Sequence, residues 1–364
     1  MKVVHIFWSL TYGGIETMLV NIANEQTLLG AEVHVIIIND IYDKELVGCF
    51  DKGVTLHFLH RKQFSKGLLF AIRMNRLLCS IKPNAIHLHS SRIFMLLWKR
   101  SHRCLASATL HSLPGGELRR RGLIYKILPI LDLNNTGNVT YLDKINRVFS
   151  ISNAVKDELW NKYRINSNVI ANGILTRCFK ARNSDIVGQP FRIVQVSRLE
   201  CEYKGQDLLI EAVASLSGKI IVDFIGDGSS REYLERLVKD LHVEKYVRFL
   251  GAKPQSYIAE HLREYDLFVQ PSRNEGFGLT VAEAMASKVP VLVSEGQGPA
   301  EVTCGDRYGW LFENCNVENL VSQIEHIITH YSDALLKADK ACDYVRKTYD
   351  ISVTAQKYLD MYCD

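Results

Sequence analysis

The chain has 364 residues, 47% of them hydrophobic, which is more than one ordinary domain needs and enough for two cores. Nine scattered cysteines with no C-x-x-C pair exclude a disulfide framework and a cysteine zinc pattern, and fit a reducing compartment. The formal charge of +4 conceals a division: residues 1–173 carry 22 basic and 12 acidic side chains, a net +10, and the remainder carries 22 and 28, a net −6. That asymmetry is the mark either of an anionic partner for the first half or of a solvated basic surface.

The opening MKVVHIFWSLTYGG has one lysine and a short apolar run interrupted by His5. Without a small-residue cleavage site it is not expected to be a signal peptide, and no stretch approaches 18 apolar residues. KVVHIFW reads as a buried strand, GIETMLVNIANEQTLLG as a helix stopped by Gly30, and VHVIII as a second strand. Further strands are predicted at 85–89, 105–110, 147–151 and 168–171, with helices between them. NGILTRCFKARNSDIVGQP then breaks the pattern, and 174–190 is read as a linker. A second series follows at 191–197, 219–226, 246–251, 266–272 and 289–294, and from about Val317 the chain is helical without a further strand. Strand–helix alternation of this kind predicts an α/β protein with two doubly wound, Rossmann-like domains, 1–173 and 191–348, facing a central cleft. Ligands of such sheets bind beyond the carboxyl ends of the strands.

Three stretches at those ends combine unusual residues. In TYGGIE, Gly13 and Gly14 follow the first strand and precede a helix, where bare backbone N–H groups can approach an anion. A tight turn needing positive φ explains two glycines nearly as well. In SRLECEYKGQDLLIEA, Ser197 ends a strand and Arg198 and Lys204 precede a helix. Cations there oppose the helix dipole by ~0.3–1 kcal/mol each, so they are either surface charges or partners of an anion. In EGFGLTVAE, Glu275 lies in a loop and Glu283 about one turn into the next helix, with Gly276 and Gly278 leaving the gap open. Two carboxylates at that spacing could accept hydrogen bonds from hydroxyls at two ends of a ligand whose anionic middle meets the N–H groups and the Arg198/Lys204 pair. A nucleotide sugar has that shape. Glu283 as an ordinary exposed helix residue is the alternative.

Together these residues resemble the retaining glycosyltransferases of family 4, which have the GT-B fold. The resemblance covers nearly the whole chain: GG near the start, IHLHS, ATLHS, ISNAVKDEL and VIANGI, then SRL-x4-KG, FIGDG, VRFLG, YDLFVQPSRNEGFGLTVAEAMASKVPVLVS and GPAEV. It implies that Glu283 binds the donor's ribose hydroxyls and Glu275 the hydroxyls of the transferred sugar. Arg198 and Lys204 would hold the diphosphate, with Ser197 beside them, and Gly13 and Gly14 would bring first-domain backbone to the phosphate. Phe277, Gly278 and Leu279, next to Gly276, would supply N–H groups, and His111 would reach the donor sugar. The implied reaction moves a hexose or N-acetylhexosamine from a nucleotide sugar, UDP-linked before GDP-linked, to an acceptor hydroxyl with retention. The leaving phosphate itself would take the acceptor's proton, and no cofactor or metal is expected, since fixed cations can stand in for Mg²⁺ and no D-x-D stretch is present. The resemblance also implies that the last helix, about 349–364, crosses back onto the first domain.

This chain departs from the family pattern in three places. Leu175 follows NGI where aspartate is frequent, the later glycine pair is split as Gly296 and Gly298, and the Arg-to-Lys spacing is the longer of two. His87 and His89 are expected on opposite faces of their strand, against a joint metal site. His89 is a candidate acceptor contact, with a buried, satisfied histidine as the alternative. KRSHR (99–103) and ELRRRGLIYK (117–126) make Arg119, Arg120 and Arg121 acceptor-side candidates that could rest on an anionic membrane or a lipid-linked glycan acceptor, or simply be solvated. They lack the aromatics of a nucleic-acid groove. The expected setting is cytoplasmic, peripheral on the inner membrane face, in bacterial surface polysaccharide synthesis. The competing readings are a nucleotide-sugar epimerase of the same architecture and an inactive nucleotide-sugar-binding subunit.

Overall fold

The computed structural model describes residues 1–11, 13–62, 65, 67–99, 104–111, 142–183, 187–216 and 218–363. The chain divides into two compact units, Met1–Gly173 with Ile351–Asp364, and Ile174–Asp350. Each is built on one parallel sheet, as expected for two Rossmann-like α/β domains.

The first sheet holds β1 (Lys2–Phe7), β2 (Glu32–Asn39), β3 (Thr55–Arg61), β4 (Ala85–Leu88), β5 (Leu105–Leu110), β6 (Arg147–Ser150) and β7 (Asn168–Val169), in the order β3-β2-β1-β4-β5-β6-β7. Chain direction across the sheet reverses between β1 and β4, the place where such sheets bind ligands. β1, β2 and β4 are near-continuous apolar runs because both faces are covered, as with Val3, Val4, Ile6, Val33, Val35 and Ile86. β3 escapes the sequence reading because it is an edge strand, TLHFLHR, whose polar positions stay half-exposed. Its His57 and the neighbouring His34 stack and share a 3.0 Å hydrogen bond instead of packing apolar groups.

The helix Ile351–Cys363 belongs to the first unit. Tyr358 Oη lies 2.9 Å from Thr109 Oγ1, Tyr362 Oη lies 2.7 Å from His87 Nδ1, and Thr354 Oγ1 donates to Ala171 O at 3.0 Å. These bonds fix the helix on β4 and β5.

The second sheet holds β8 (Phe191–Val196), β9 (Ile220–Ile225), β10 (Val247–Phe249), β11 (Leu267–Gln270), β12 (Val291–Ser294) and β13 (Trp310–Phe312), in the order β10-β9-β8-β11-β12-β13. The three-residue edge strand β13 is the one the sequence reading misses here. Its core is apolar, with Phe191, Ile193, Leu209, Val222, Phe224, Leu267 and Ile324 in one buried cluster. The stretch read as a linker packs onto this unit in its first ten residues. Lys180 N donates to Ala259 O at 3.1 Å, and Arg182 ion-pairs the buried Asp266 at 2.8 Å. No helix among the described residues is long and apolar enough to cross a membrane.

Candidate functional site

The switch point of the second sheet lies between β8 and β11, and three loops gather there. Ser197 directly follows β8, and its hydroxyl accepts from Gln195 Nε2 (3.2 Å) and Gln206 Nε2 (2.9 Å). Arg198 follows, its side chain 72% exposed and 3.3 Å from Glu200. The turn Cys201–Lys204 leads to Gly205, at φ +65°, where a Cβ would stand 1.9 Å from Pro271 O. Only glycine fits, so the lysine loop is pressed against the end of β11.

From that side Lys204 Nζ meets Glu275 Oε2 in an ion pair, with Ser272 Oγ 3.4 Å from the same oxygen. Arg273 makes two parallel bonds to Asp207 (2.7 and 2.8 Å) and a third to Cys201 O (2.6 Å), while its own N–H donates to Tyr203 O at 2.8 Å. The two loops are thus fastened at both backbone and side chain.

The helix Leu279–Ala286 begins beyond Gly278, which sits at φ +97°. It has no side-chain cap and no acid in its first turn. Among the described residues the N–H groups of Gly276, Phe277, Gly278 and Leu279 make no hydrogen bond within the chain. The positive helix end is therefore open to an anion. The Phe277 ring is buried edge-on against Tyr349, so this residue's contribution to the open end is its backbone.

One turn into that helix Glu283 is buried and accepts a 2.9 Å bond from Gln255 Nε2. Burial pushes its carboxyl up to about 7, opposed by the Gln255 bond. The reading as an ordinary exposed helix residue is thereby set aside. The split glycine pair also acquires a function: between Gly296 and Gly298, Gln297 Oε1 accepts the Glu275 N–H at 3.0 Å, and Gly298 N donates to Glu275 O at 2.9 Å. A Cβ on Gly298 would come within 2.4 Å of the Gly276 backbone.

In the first unit, Gly13 has φ −173° and neither Gly13 nor Gly14 is at positive φ, so a left-handed turn does not account for the pair. The helix Gly14–Leu28 starts without a side-chain cap. Along β1, β4 and β5 lie four imidazoles, His5 and His87 within β1 and β4, and His89 and His111 one residue beyond β4 and β5. His5 Nε2 is 2.8 Å from Gln26 Oε1, His5 Nδ1 is 3.1 Å from His89 Nε2, and His89 Nδ1 is 3.2 Å from His111 Nε2.

His87 and His89 point the same way, with ring centroids 4.8 Å apart. The expectation of opposite faces fails because residues two apart on a strand share a face. His89 is the buried, satisfied histidine of the two readings offered for it, 4% exposed with both nitrogens bonded. Burial lowers His5 and His111 to about 4 and holds His87 and His89 well below their ordinary value. His111 Nδ1 is enclosed and has no partner among the described residues, a state unfavourable by ~1–3 kcal/mol. Arg119, Arg120 and Arg121, with Lys126, lie outside the described residues, as does the KRSHR stretch beyond Lys99. Among the described residues no group of three or more His, Cys, Asp or Glu side chains could hold a metal ion.

Two family models cover this chain: one described as Glycosyltransferase Family 4 matches residues 12–177, and one described as Glycosyl transferases group 1 matches 178–344. The chain belongs to glycosyltransferase family 4. Among curated relatives, the amylovoran biosynthesis glycosyltransferase of Erwinia amylovora is 35% identical over 153 residues, 40% of this chain and 37% of that protein. The poly(ribitol-phosphate) alpha-N-acetylglucosaminyltransferase of Staphylococcus aureus is 25% identical over 230 residues, 60% of this chain and 44% of that protein. The match thus spans less than half the length of either relative. Anabaena HepE, solved in complex with UDP and glucose, superposes with a TM-score of 0.80 at 20% identity over 100% of both chains, which shows the same GT-B fold.

Within this family 4 chain, several supporting residues escaped the sequence reading. Gln255, Gln297, Asp207 and Arg273 are uncharged or ordinary-looking positions whose partners lie 22 to 66 residues away. Arg273 alone carried a hint, standing two residues before Glu275 inside the motif.

Proposed function

We propose that this chain transfers a hexose or N-acetylhexosamine from a nucleotide sugar, UDP-linked before GDP-linked, to a hydroxyl of a glycan or glycolipid acceptor, with retention of configuration. The observation that carries the reading is the second unit's open helix end, with Glu275 and Lys204 at one side and the buried Glu283 one turn in. In this reading Glu283, as carboxylate, accepts from the two ribose hydroxyls, and Glu275 takes hydroxyls of the sugar. Lys204 turns from Glu275 to the diphosphate, joined by the exposed Arg198. Gly276 to Leu279 offer N–H groups to the same charge, and the family motif gives Gly13, Gly14 and His111 the corresponding first-unit roles. Catalysis then rests on holding donor and acceptor together and on stabilising the departing diphosphate, which takes the acceptor's proton. Support for UDP comes from the neighbour solved with UDP and glucose, and for a bacterial surface glycan from the names of the two curated relatives. The expected place of action is the cytoplasmic face of the membrane.

Calorimetric titration with UDP, GDP and ADP tests the reading. One nucleotide should bind selectively, and Glu283→Ala should weaken it by about tenfold to a hundredfold, two to three charge-assisted or neutral bonds' worth. Equal, weak binding of all three, unchanged in the variant, would sink the proposed donor site.

A further inference from the structure

The row Gln26–His5–His89–His111 runs from the interior of the first unit to the end of β5, and every link is a hydrogen bond between ring or amide atoms. Its members come from the helix Gly14–Leu28, from β1, and from the ends of β4 and β5, so strand register puts them in line. His89 N also donates to Ile6 O at 3.2 Å, which fixes the height of the ring beside His5.

The direction of the row can be worked out. A neutral imidazole has one N–H and one bare nitrogen. Burial keeps these rings neutral near pH 7. The Gln26 amide is set with its carbonyl oxygen toward His5 and its Nε2 enclosed without a partner among the described residues; in that setting the oxygen can only accept, so His5 carries its proton on Nε2 and its Nδ1 is bare. A bare His5 Nδ1 requires His89 Nε2–H, which leaves His89 Nδ1 bare. That in turn requires His111 Nε2–H. The remaining nitrogen, His111 Nδ1, is the enclosed atom without a partner among the described residues.

We propose that Gln26, His5 and His89 are positioning residues that fix His111 as its Nε2–H tautomer, so that Nδ1 is a ready acceptor for a hydroxyl of the donor's sugar. The inference rests on the reading of the chain as a sugar-nucleotide enzyme with His111 on the sugar. It adds a selection rule: the group met by Nδ1 must be a donor, a hydroxyl or amide N–H, and never a carbonyl or ether oxygen. Tautomer control by the far nitrogen's partner is a general property of imidazole. Here the controlling group is three hydrogen bonds away.

The tautomers are read directly from long-range proton–nitrogen correlation spectra of the ¹⁵N-histidine-labelled chain, with His111 assigned by His111→Gln. The expected parent spectrum at pH 7 has His5, His89 and His111 all protonated at Nε2. A proton on His111 Nδ1, which a reversed Gln26 amide would produce, overturns the proposal without needing any variant to fold.

Binding supplies the second arm, with UDP, UDP-glucose and UDP-N-acetylglucosamine as probes. Gln26→Met removes the terminal acceptor and should lower affinity for a sugar nucleotide about tenfold while leaving UDP unchanged. Gln26→Glu, which can still accept from His5, should keep both tautomer and affinity. A role limited to packing predicts that both variants lower the melting temperature alike with the sugar-to-UDP affinity ratio intact, and that result also overturns the proposal. If the parent binds no UDP, the donor reading fails on its own while the spectra still decide the relay.

Discussion

The two units bring polar side chains to the carboxyl ends of similar parallel sheets, but they hold them by opposite means. In the second unit the groups are charged and opposed: Lys204 against Glu275, Arg273 against Asp207, Arg198 beside Glu200. They stand at loops shaped by glycines that approach neighbouring backbone, and the sheet beneath them buries Gln195, Asp223 and Gln270 beside its apolar cluster. In the first unit the groups are neutral, buried and in series, and the sheet itself carries His5, His87, Ser107 and Thr109 at 0 to 2% exposure. A charge held by an exchangeable partner can be passed to a ligand's phosphate, whereas a neutral row can only orient. On the proposed reading, binding of charge falls to one unit and orientation of an uncharged group to the other.

The glycine framing gives the largest expected effect. Gly205→Ala would place a Cβ 1.9 Å from Pro271 O at a left-handed φ, so the loop and the end of β11 cannot both stay in place. The loss should reach at least ~4 kcal/mol, or prevent folding of the second unit. In the first unit Gly13→Ala is the matched control. Gly13 is extended, and the three atoms nearest the added methyl all belong to the end of the Glu16 side chain, which can shift, so denaturant unfolding should change by less than ~1 kcal/mol. Equal losses at both glycines would break the comparison.

The same contrast decides what the sequence could reveal. Charged residues separated by fixed short spacings, as in SRL-x4-KG and E-x7-E, stay visible because spacing along one loop and helix sets their geometry. The two parallel sheets were legible for the same local reason: apolar runs of strand length punctuated by glycine. What escaped was set by tertiary register. The row of histidines depends on β1 lying beside β4 in one alignment, and a shift of one residue would turn His5 to the other face. Gln255 and Gln297 are polar residues like many others until the fold brings them to Glu283 and Glu275. β3 and β13 were missed because edge strands need less apolar surface than central ones.

A medium effect separates the units by pH. Glu283 in the folded chain titrates at about 7, above the ordinary 4.5. A group with its folded value raised adds stability that is fully present below about 4.5 and lost as pH rises to about 7. The loss amounts to roughly 3 kcal/mol at most, from two to three pH units of displacement. Glu283→Gln should therefore melt above the parent at pH 8 and not at pH 4.5. Because ribose hydroxyls would be met by the carboxylate, nucleotide affinity of the parent should fall by about tenfold or more between pH 7.5 and 5.5, and the variant should be flat. The four clustered imidazoles of the first unit stay neutral throughout that range, because burial lowers His5 and His111 to about 4 and holds His87 and His89 well below their ordinary value. A pH dependence that persists in Glu283→Gln would move the titrating group elsewhere and erase the distinction.

The smallest expected effect concerns the fastening of the two charged loops. Asp207 and Arg273 are 15% and 26% exposed, so their attraction is partly screened. Asp207→Asn keeps the shape and one hydrogen bond while removing the charge, and Arg273 retains its bond to Cys201 O. The cost should be about 1 kcal/mol of stability, with nucleotide affinity two- to threefold weaker because the Lys204 turn is held less tightly. The difference from the parent should shrink further in high salt. If instead the variant loses nucleotide binding altogether with its stability intact, the pair is part of the charge that meets the ligand. Arg273 would then join Lys204 as a cation waiting behind an acidic partner.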